Sequence, residues 1–273
     1  AINLVYKVLH YNVNLGGNYM DIPALILSIA AGLSTVLGAL IVFITKDKSE
    51  KMLSISLGFA GGIMLSVSFT DLFPNANNLL SSQLGDRFGI VLSVIFLAIG
   101  IFAASLLDMF VPHQEFDEEK GEKTHNNLFK VGFVSMLAIA LHNFPEGIAT
   151  FMAGYKDFEL GVSIAFAISL HNIPEGISVA MPIYYSTGSK AKALKYTILS
   201  GITEPIGALL AFFILKPFIN DAVLGGIFSF VAGVMIYVCI EELLPSSRQY
   251  GYNKQALIAT FIGICTMPLT HVI

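Results

Sequence analysis

The chain has 273 residues, 55% of them apolar and only 12% charged, with a formal net charge of −4 and a mean hydropathy of +0.74. A water-soluble domain of this composition would expose more apolar surface than water tolerates, so most of the chain belongs in a bilayer. The charge balance is too small to suggest a nucleic-acid partner.

In chain order, the stretch from Ala1 to Met20 carries Asn and Tyr throughout. It has no basic segment followed by an apolar core, so it does not read as a signal peptide. Eight apolar stretches follow, each long enough to cross a bilayer as a helix, at roughly 22–45, 53–73, 88–110, 128–152, 158–185, 194–216, 222–244 and 255–272. Lipid-exposed segments must satisfy their backbone internally, and these runs are too long and too uniformly apolar for alternating barrel strands. The expectation is one all-α integral membrane domain over residues 1–273, with short connections that make consecutive helices neighbours. Cys239 and Cys265 both lie in apolar stretches and read as packing residues rather than a disulfide.

Basic residues set the orientation. Lys46, Lys48, Lys51, Lys120, Lys123, Lys130, Lys190, Lys192, Lys195, Arg248 and Lys254 fall after spans one, three, five and seven, against Lys7, Arg87, Lys156 and Lys216 on the other side. The positive-inside rule turns the first set to the cytoplasm and both termini outward. Tyr184, Tyr185 and Tyr237 read as interfacial anchors, and Asp108 as an interfacial charge at the cytoplasmic end of span three. The cytoplasmic loop at 112–127 flanks an acidic run with His113 and His125. It reads either as a solvated linker or as a weak metal-capturing segment.

The chemistry lies in a repeated hexapeptide. His142-Asn143-Phe144-Pro145-Glu146-Gly147 in span four returns as His171-Asn172-Ile173-Pro174-Glu175-Gly176 in span five. Residues four apart share a helix face, so each copy offers one imidazole, one amide and one carboxylate in one direction. Pro145 and Pro174 cannot donate to the carbonyls of Leu141 and Leu170, which predicts kinks where the donors lie. Span six adds Glu204, again before a proline. Three carboxylates at membrane depth need protons or cations, and metal–proton competition is the expected behaviour. Imidazole, carboxylate and amide without thiolate suit Zn(II), Fe(II), Mn(II) or Co(II). Met64 in span two reads as a soft accessory ligand or as core packing. Asp71, Glu241 and Glu242 read as pathway residues or as interfacial charges.

Eight spans with both termini outside, H-N-x-P-E-G in spans four and five, and E-P in span six resemble the ZIP (Zrt/Irt-like) metal-transporter family. The similarity is to its bacterial zinc-uptake branch of broad divalent specificity, and it covers essentially the whole chain. The resemblance implies a 3+2+3 arrangement in which the first and last three spans are an inverted repeat enclosing spans four and five. It also implies a binuclear site in the transport pathway. One metal would be held by His142, Glu146, His171 and Glu175, with Met64. The second would be held by Asn143, Glu146, Asn172, Glu175 and Glu204, the glutamates of spans four and five bridging. Some members carry Asp or Gln in span five where this chain has Asn172 and His171, a difference that bears on the charge of the second position. Asp71 matches the external entrance, and Glu241 and Glu242 the cytoplasmic exit. Members dimerise and move metal by one bundle sliding or rocking against another.

The reading is therefore a multi-pass carrier in the cell (plasma or inner) membrane. It moves divalent metal, zinc above all, into the cytoplasm, with metal as cargo and no resident cofactor. A passive metal channel is the related alternative. An intramembrane zinc hydrolase is a weaker one, because the HExxH and G-x-S-x-G signatures are missing, and direct ATP coupling lacks its phosphate loop.

Overall fold

A computed structural model describes residues 12–15, 18–45, 50–109, 125–218 and 220–270. It opens on a feature outside the all-helical expectation. Strands β1 (Asn12–Leu15) and β2 (Asn18–Asp21) form an antiparallel hairpin with Asn12 opposite Asp21. The hairpin leads straight into helix α1 (Ile22–Ile44), where the Asp21 carboxylate accepts the Ala24 N–H at 3.2 Å and Pro23 takes a position that needs no donor.

Seven further helices follow among the described residues: α2 (Glu50–Leu84), α3 (Asp86–Asp108), α4 (His125–Lys156), α5 (Phe158–Thr187), α6 (Lys190–Leu215), α7 (Asp221–Arg248) and α8 (Asn253–Thr270). The tight connections have local causes. Asp157 caps α5 by accepting the Leu160 N–H, Gly188 ends it in the left-handed region at φ 66°, and Ser189 caps α6 through the Lys192 N–H. His113 lies outside the described residues, and His125 opens α4.

Six of these helices are long and apolar enough to cross a membrane: α1, α2, α3, α5, α6 and α7. The two others expected to span, α4 and α8, are more polar. The first carries His142, Asn143 and Glu146 at mid-length, and the second opens on Asn253-Lys254-Gln255. Helix α2 also runs well past its expected end. A π-helical turn, Ser68–Leu72, precedes Pro74 in α2, another, Cys239–Leu243, precedes Pro245 in α7, and a third, Ala211–Leu215, closes α6 before Pro217. In α2 and α7 the turn inserts an extra residue ahead of the proline, which cannot supply the next regular hydrogen bond, and the helix continues past it.

The helices do not group by consecutive threes. Helices α1, α4, α5 and α6 pack on one another, and α2, α3, α7 and α8 form a second bundle. Across the two, contact runs chiefly from α2 to α5 and from α7 to α4. Large apolar side chains such as Phe88, Phe102, Leu33 and Phe213 stand exposed on the outside, where lipid rather than water would meet them. Inside the second bundle, glycines set the spacing. A Cβ at Gly100 or Gly233 would strike the backbone carbonyl of Phe230 or Leu97, tying α3 to α7, and Gly62 and Gly263 do the same for α2 and α8.

Gly233→Ala should force α3 and α7 apart and lower the thermal unfolding midpoint in detergent, an overpacking cost of about 1–3 kcal/mol. Gly154→Ala, whose Cβ would meet its nearest atoms at 3.2 Å, should cost less than half as much in the same assay.

Candidate functional site

Helices α4 and α5 turn their repeated hexapeptides toward each other. His142, Asn143, Glu146, His171, Asn172 and Glu175 are all buried, as is Glu204 on α6. Both helices run unbroken through Pro145 and Pro174, which keeps each imidazole and its carboxylate one turn apart on a shared face. The two copies contact crosswise. His171 Nε2 lies 3.3 Å from Glu146 Oε2 in hydrogen-bond alignment. His142 Nε2 lies 3.3 Å from Glu175 Oε1, within ion-pair range but not aligned as a hydrogen bond. Each helix thus presents its nitrogen to the other's carboxylate.

One layer along, the amides are held from behind. Asn172 Nδ2 donates to the Ala31 carbonyl of α1 at 3.0 Å and to Glu204 Oε1, while Asn143 Nδ2 donates to the Ser200 carbonyl of α6 at 3.4 Å. Pinning the nitrogen turns each amide oxygen the other way. Asn143 Oδ1 and Asn172 Oδ1 are both buried without a hydrogen-bond donor, as are Glu146 Oε1, Glu175 Oε2 and Glu204 Oε2. These are lone-pair oxygens in a dry core, and no lysine or arginine is buried among the described residues to answer them. Such acceptors suit a cation with several coordination positions. Among the described residues no three His, Cys, Asp or Glu side chains stand at metal-holding distances; the imidazoles and carboxylates are in contact with one another instead.

The remaining candidates fall in different places. Met64 is fully buried in α2, in the apolar core. Asp71 is buried within the first π turn, where Thr70 Oγ1 donates to its carboxylate at 2.6 Å. Glu241 is exposed, whereas Glu242 beside it lines a small cavity open to the surface, together with His142, Asp108 and Tyr237. The side chain of His125 is not described.

Asp108, the last residue of α3, is 7% exposed and accepts a hydrogen bond from Tyr237 Oη at 2.9 Å, so both side chains pack at the α3–α7 contact. Their sequence positions near span ends concealed this, because only the packing of α3 on α7 brings them together. Cys239 and Cys265 are free thiols, the first donating to the Gly61 carbonyl at 3.1 Å.

Comparison with known proteins identifies the family of the sequence. The sequence matches the family described as ZIP Zinc transporter over residues 20–130 and 113–270. It is 42% identical over 252 residues to a zinc transporter ZupT of Streptococcus mutans serotype c, which spans 90% of this chain and 96% of that protein. Proteins of the same name from Chlorobaculum parvum (44% over 253 residues, 89% and 94% covered) and Clostridium perfringens (40% over 278 residues, 93% and 98% covered) are similar over the same length.

A cation held between α4 and α5 would stabilise the folded chain by mass action. Zinc at a hundredfold excess over its dissociation constant should add about 2.7 kcal/mol, read as a higher unfolding midpoint in detergent. In Glu146→Gln/Glu175→Gln protein that shift should vanish.

Proposed function

The chain belongs to the ZIP zinc transporter family, and from that premise we propose that it carries zinc and similar divalent metals into the cytoplasm through a two-cation site between α4 and α5. It is a multi-pass membrane transporter and not an enzyme. The proteins it resembles are named zinc transporters, and zinc is accordingly the first cargo, with Fe(II), Mn(II), Co(II) and Cd(II) compatible with the same nitrogen-and-oxygen donors.

The observation that carries the reading is the crosswise facing of His142 and Glu146 with His171 and Glu175, beside carboxylate and amide oxygens that have no donor. In this proposal the first cation takes the two imidazoles and two bridging carboxylates, Met64 approaching from α2. The second takes the amide oxygens, the same carboxylates and Glu204. A divalent ion entering would replace the imidazole–carboxylate contacts with stronger ones, and its departure would restore them. The donors need no preformed gap, since they satisfy each other in part while metal is absent.

The path proposed for release is the cavity on the α7 side, where His142 forms one wall and Asp108 and Glu242 supply oxygens beyond it. Asp71 and Glu242 occupy matching positions, each in a π turn three residues before a proline, nine residues beyond Gly62 and Gly233 respectively. That shared register between α2 and α7, with Ile99-Gly100-Ile101 of α3 matched by Ile262-Gly263-Ile264 of α8, supports an inverted repeat and a 3+2+3 order in sequence. It makes Asp71 the external counterpart of an internal acid.

A carrier fits the packing better than a channel. Two bundles, each locked internally by backbone-close crossings, meet mainly through α2–α5 and α7–α4, so one can shift against the other with its metal. All eight helices cross the cell membrane in this proposal, α4 and α8 included, with both termini outside and with homodimers as the assembly. Polar α4 is tolerated because its imidazole, amide and carboxylate face protein rather than lipid.

Purified protein in liposomes should accumulate zinc with saturation. Glu175→Ala should abolish uptake, at least about a hundredfold below wild type, while retaining a monodisperse profile and normal helical content. Uptake by that variant at the wild-type rate would contradict the site.

A further inference from the structure

Helices α1 and α6 share a register of their own. Gly32-Leu33-Ser34-Thr35-Val36-Leu37-Gly38-Ala39-Leu40 aligns without a gap on Gly201-Ile202-Thr203-Glu204-Pro205-Ile206-Gly207-Ala208-Leu209. The contacts repeat with the residues. A Cβ on Gly32 would strike the Gly201 carbonyl, and one on Gly201 the Gly32 carbonyl. Gly38 lies on the Ile173 carbonyl of α5 as Gly207 lies on the Phe144 carbonyl of α4, and Ile173 and Phe144 hold the same place in the two hexapeptides. Gly176 lies on the Thr35 carbonyl as Gly147 lies on that of Glu204. The amides follow suit: Asn172 donates to Ala31 and Asn143 to Ser200, the residues preceding the paired glycines. One two-fold operation exchanges α1 with α6 and α4 with α5, and it carries Glu204 onto Thr35.

The chemistry of that pair is unequal. Thr35 is wholly buried, and its Oγ1 has no hydrogen-bond partner. Elsewhere in α1, Ser28 and Ser34 return their hydroxyls to the carbonyls of Ala24 and Ala31. A mid-helix threonine ordinarily does the same, and a buried hydroxyl that does not is an uncompensated polar group. Thr35 Oγ1 stands 3.2 Å from where a Cβ of Gly201 would be, in the layer whose Ser200 carbonyl holds Asn143.

We propose that Thr35 Oγ is a ligand of the second cation position, opposite Glu204, so that Asn143, Asn172, Glu146, Glu175, Glu204 and Thr35 offer six oxygens around it. The inference rests on the two-cation reading above and names a residue that reading does not contain. Six oxygen donors suit Mn(II) and similar hard divalent ions, whereas zinc is satisfied by four or five. A neutral donor at this place raises the coordination number without adding a fourth buried carboxylate. Thr35 therefore sets how broadly the second position selects its ion.

The test is equilibrium titration of the purified full-length protein with Mn(II) and Zn(II), in wild type, Thr35→Val, Thr35→Ala and Thr35→Ser. Valine keeps the shape and removes the hydroxyl, alanine removes it without crowding, and serine keeps it. Both hydroxyl-free variants should bind Mn(II) at the second equivalent at least about tenfold more weakly and leave the first Zn(II) equivalent within about threefold, and serine should restore Mn(II) binding. Wild-type Mn(II) binding by the valine and alanine variants overturns the proposal, and so does equal loss of both equivalents. Glu146→Gln/Glu175→Gln protein is titrated alongside. Metal binding that survives there defeats the two-cation reading itself, a result distinct from an inert Thr35.

Discussion

Glu146, Glu175 and Glu204 are buried together where, among the described residues, no lysine or arginine is buried to answer them. The architecture can be read as the consequences of that one electrostatic problem. The imidazoles of His142 and His171 answer two of the carboxylates from the opposite helix, and the Asn172 amide answers the third. Each answer is partial, since every one of these carboxylates keeps an oxygen without a donor. Partial satisfaction leaves acceptor oxygens in the core that a doubly charged ion would satisfy.

Holding such a site in lipid demands that the surrounding backbones come close. Hydrophobic burial drives little between helices when the solvent is itself hydrocarbon, so contact has to come from packing and hydrogen bonds. The chain meets this with glycine at the crossings, in both bundles and at equivalent places. The result is stiffness within each bundle and a narrower seam between them. The Lys156–Asp221 ion pair bridges that seam from α4 to α7 at an exposed position, where solvent screening leaves it weak.

The π turns of α2 and α7 show how a local backbone constraint places an acid inside a helix. Proline alone would have ended α2 and α7 near residues 74 and 245, leaving Asp71 and Glu242 as terminal charges. The added residue lets each helix continue, and each acid sits inside a wall rather than at its edge. Tyr237 and Asp108 illustrate the same lesson: residues near the ends of apolar runs are drawn into the protein when a neighbouring helix extends past them.

The sequence by itself determined the helical membrane class, the approximate place of the helices and which imidazole, amide and carboxylate side chains are set into them at membrane depth. Apolar length reports span, and a doubled H-N-x-P-E-G motif in hydrocarbon is too costly to keep for packing alone. Helix ends beyond Pro74 and Pro245, the burial of Asp108 and the hairpin before α1 were not legible, because a proline, an acid or a polar stretch near a boundary is read locally as an ending. The grouping of α1, α4, α5 and α6 apart from α2, α3, α7 and α8, and the close crossing of α1 on α6 at Gly32 and Gly201, were decided only in three dimensions. Which face of an all-apolar helix turns inward depends on where its glycines can touch another backbone, and that complementarity belongs to pairs of helices rather than to any one segment.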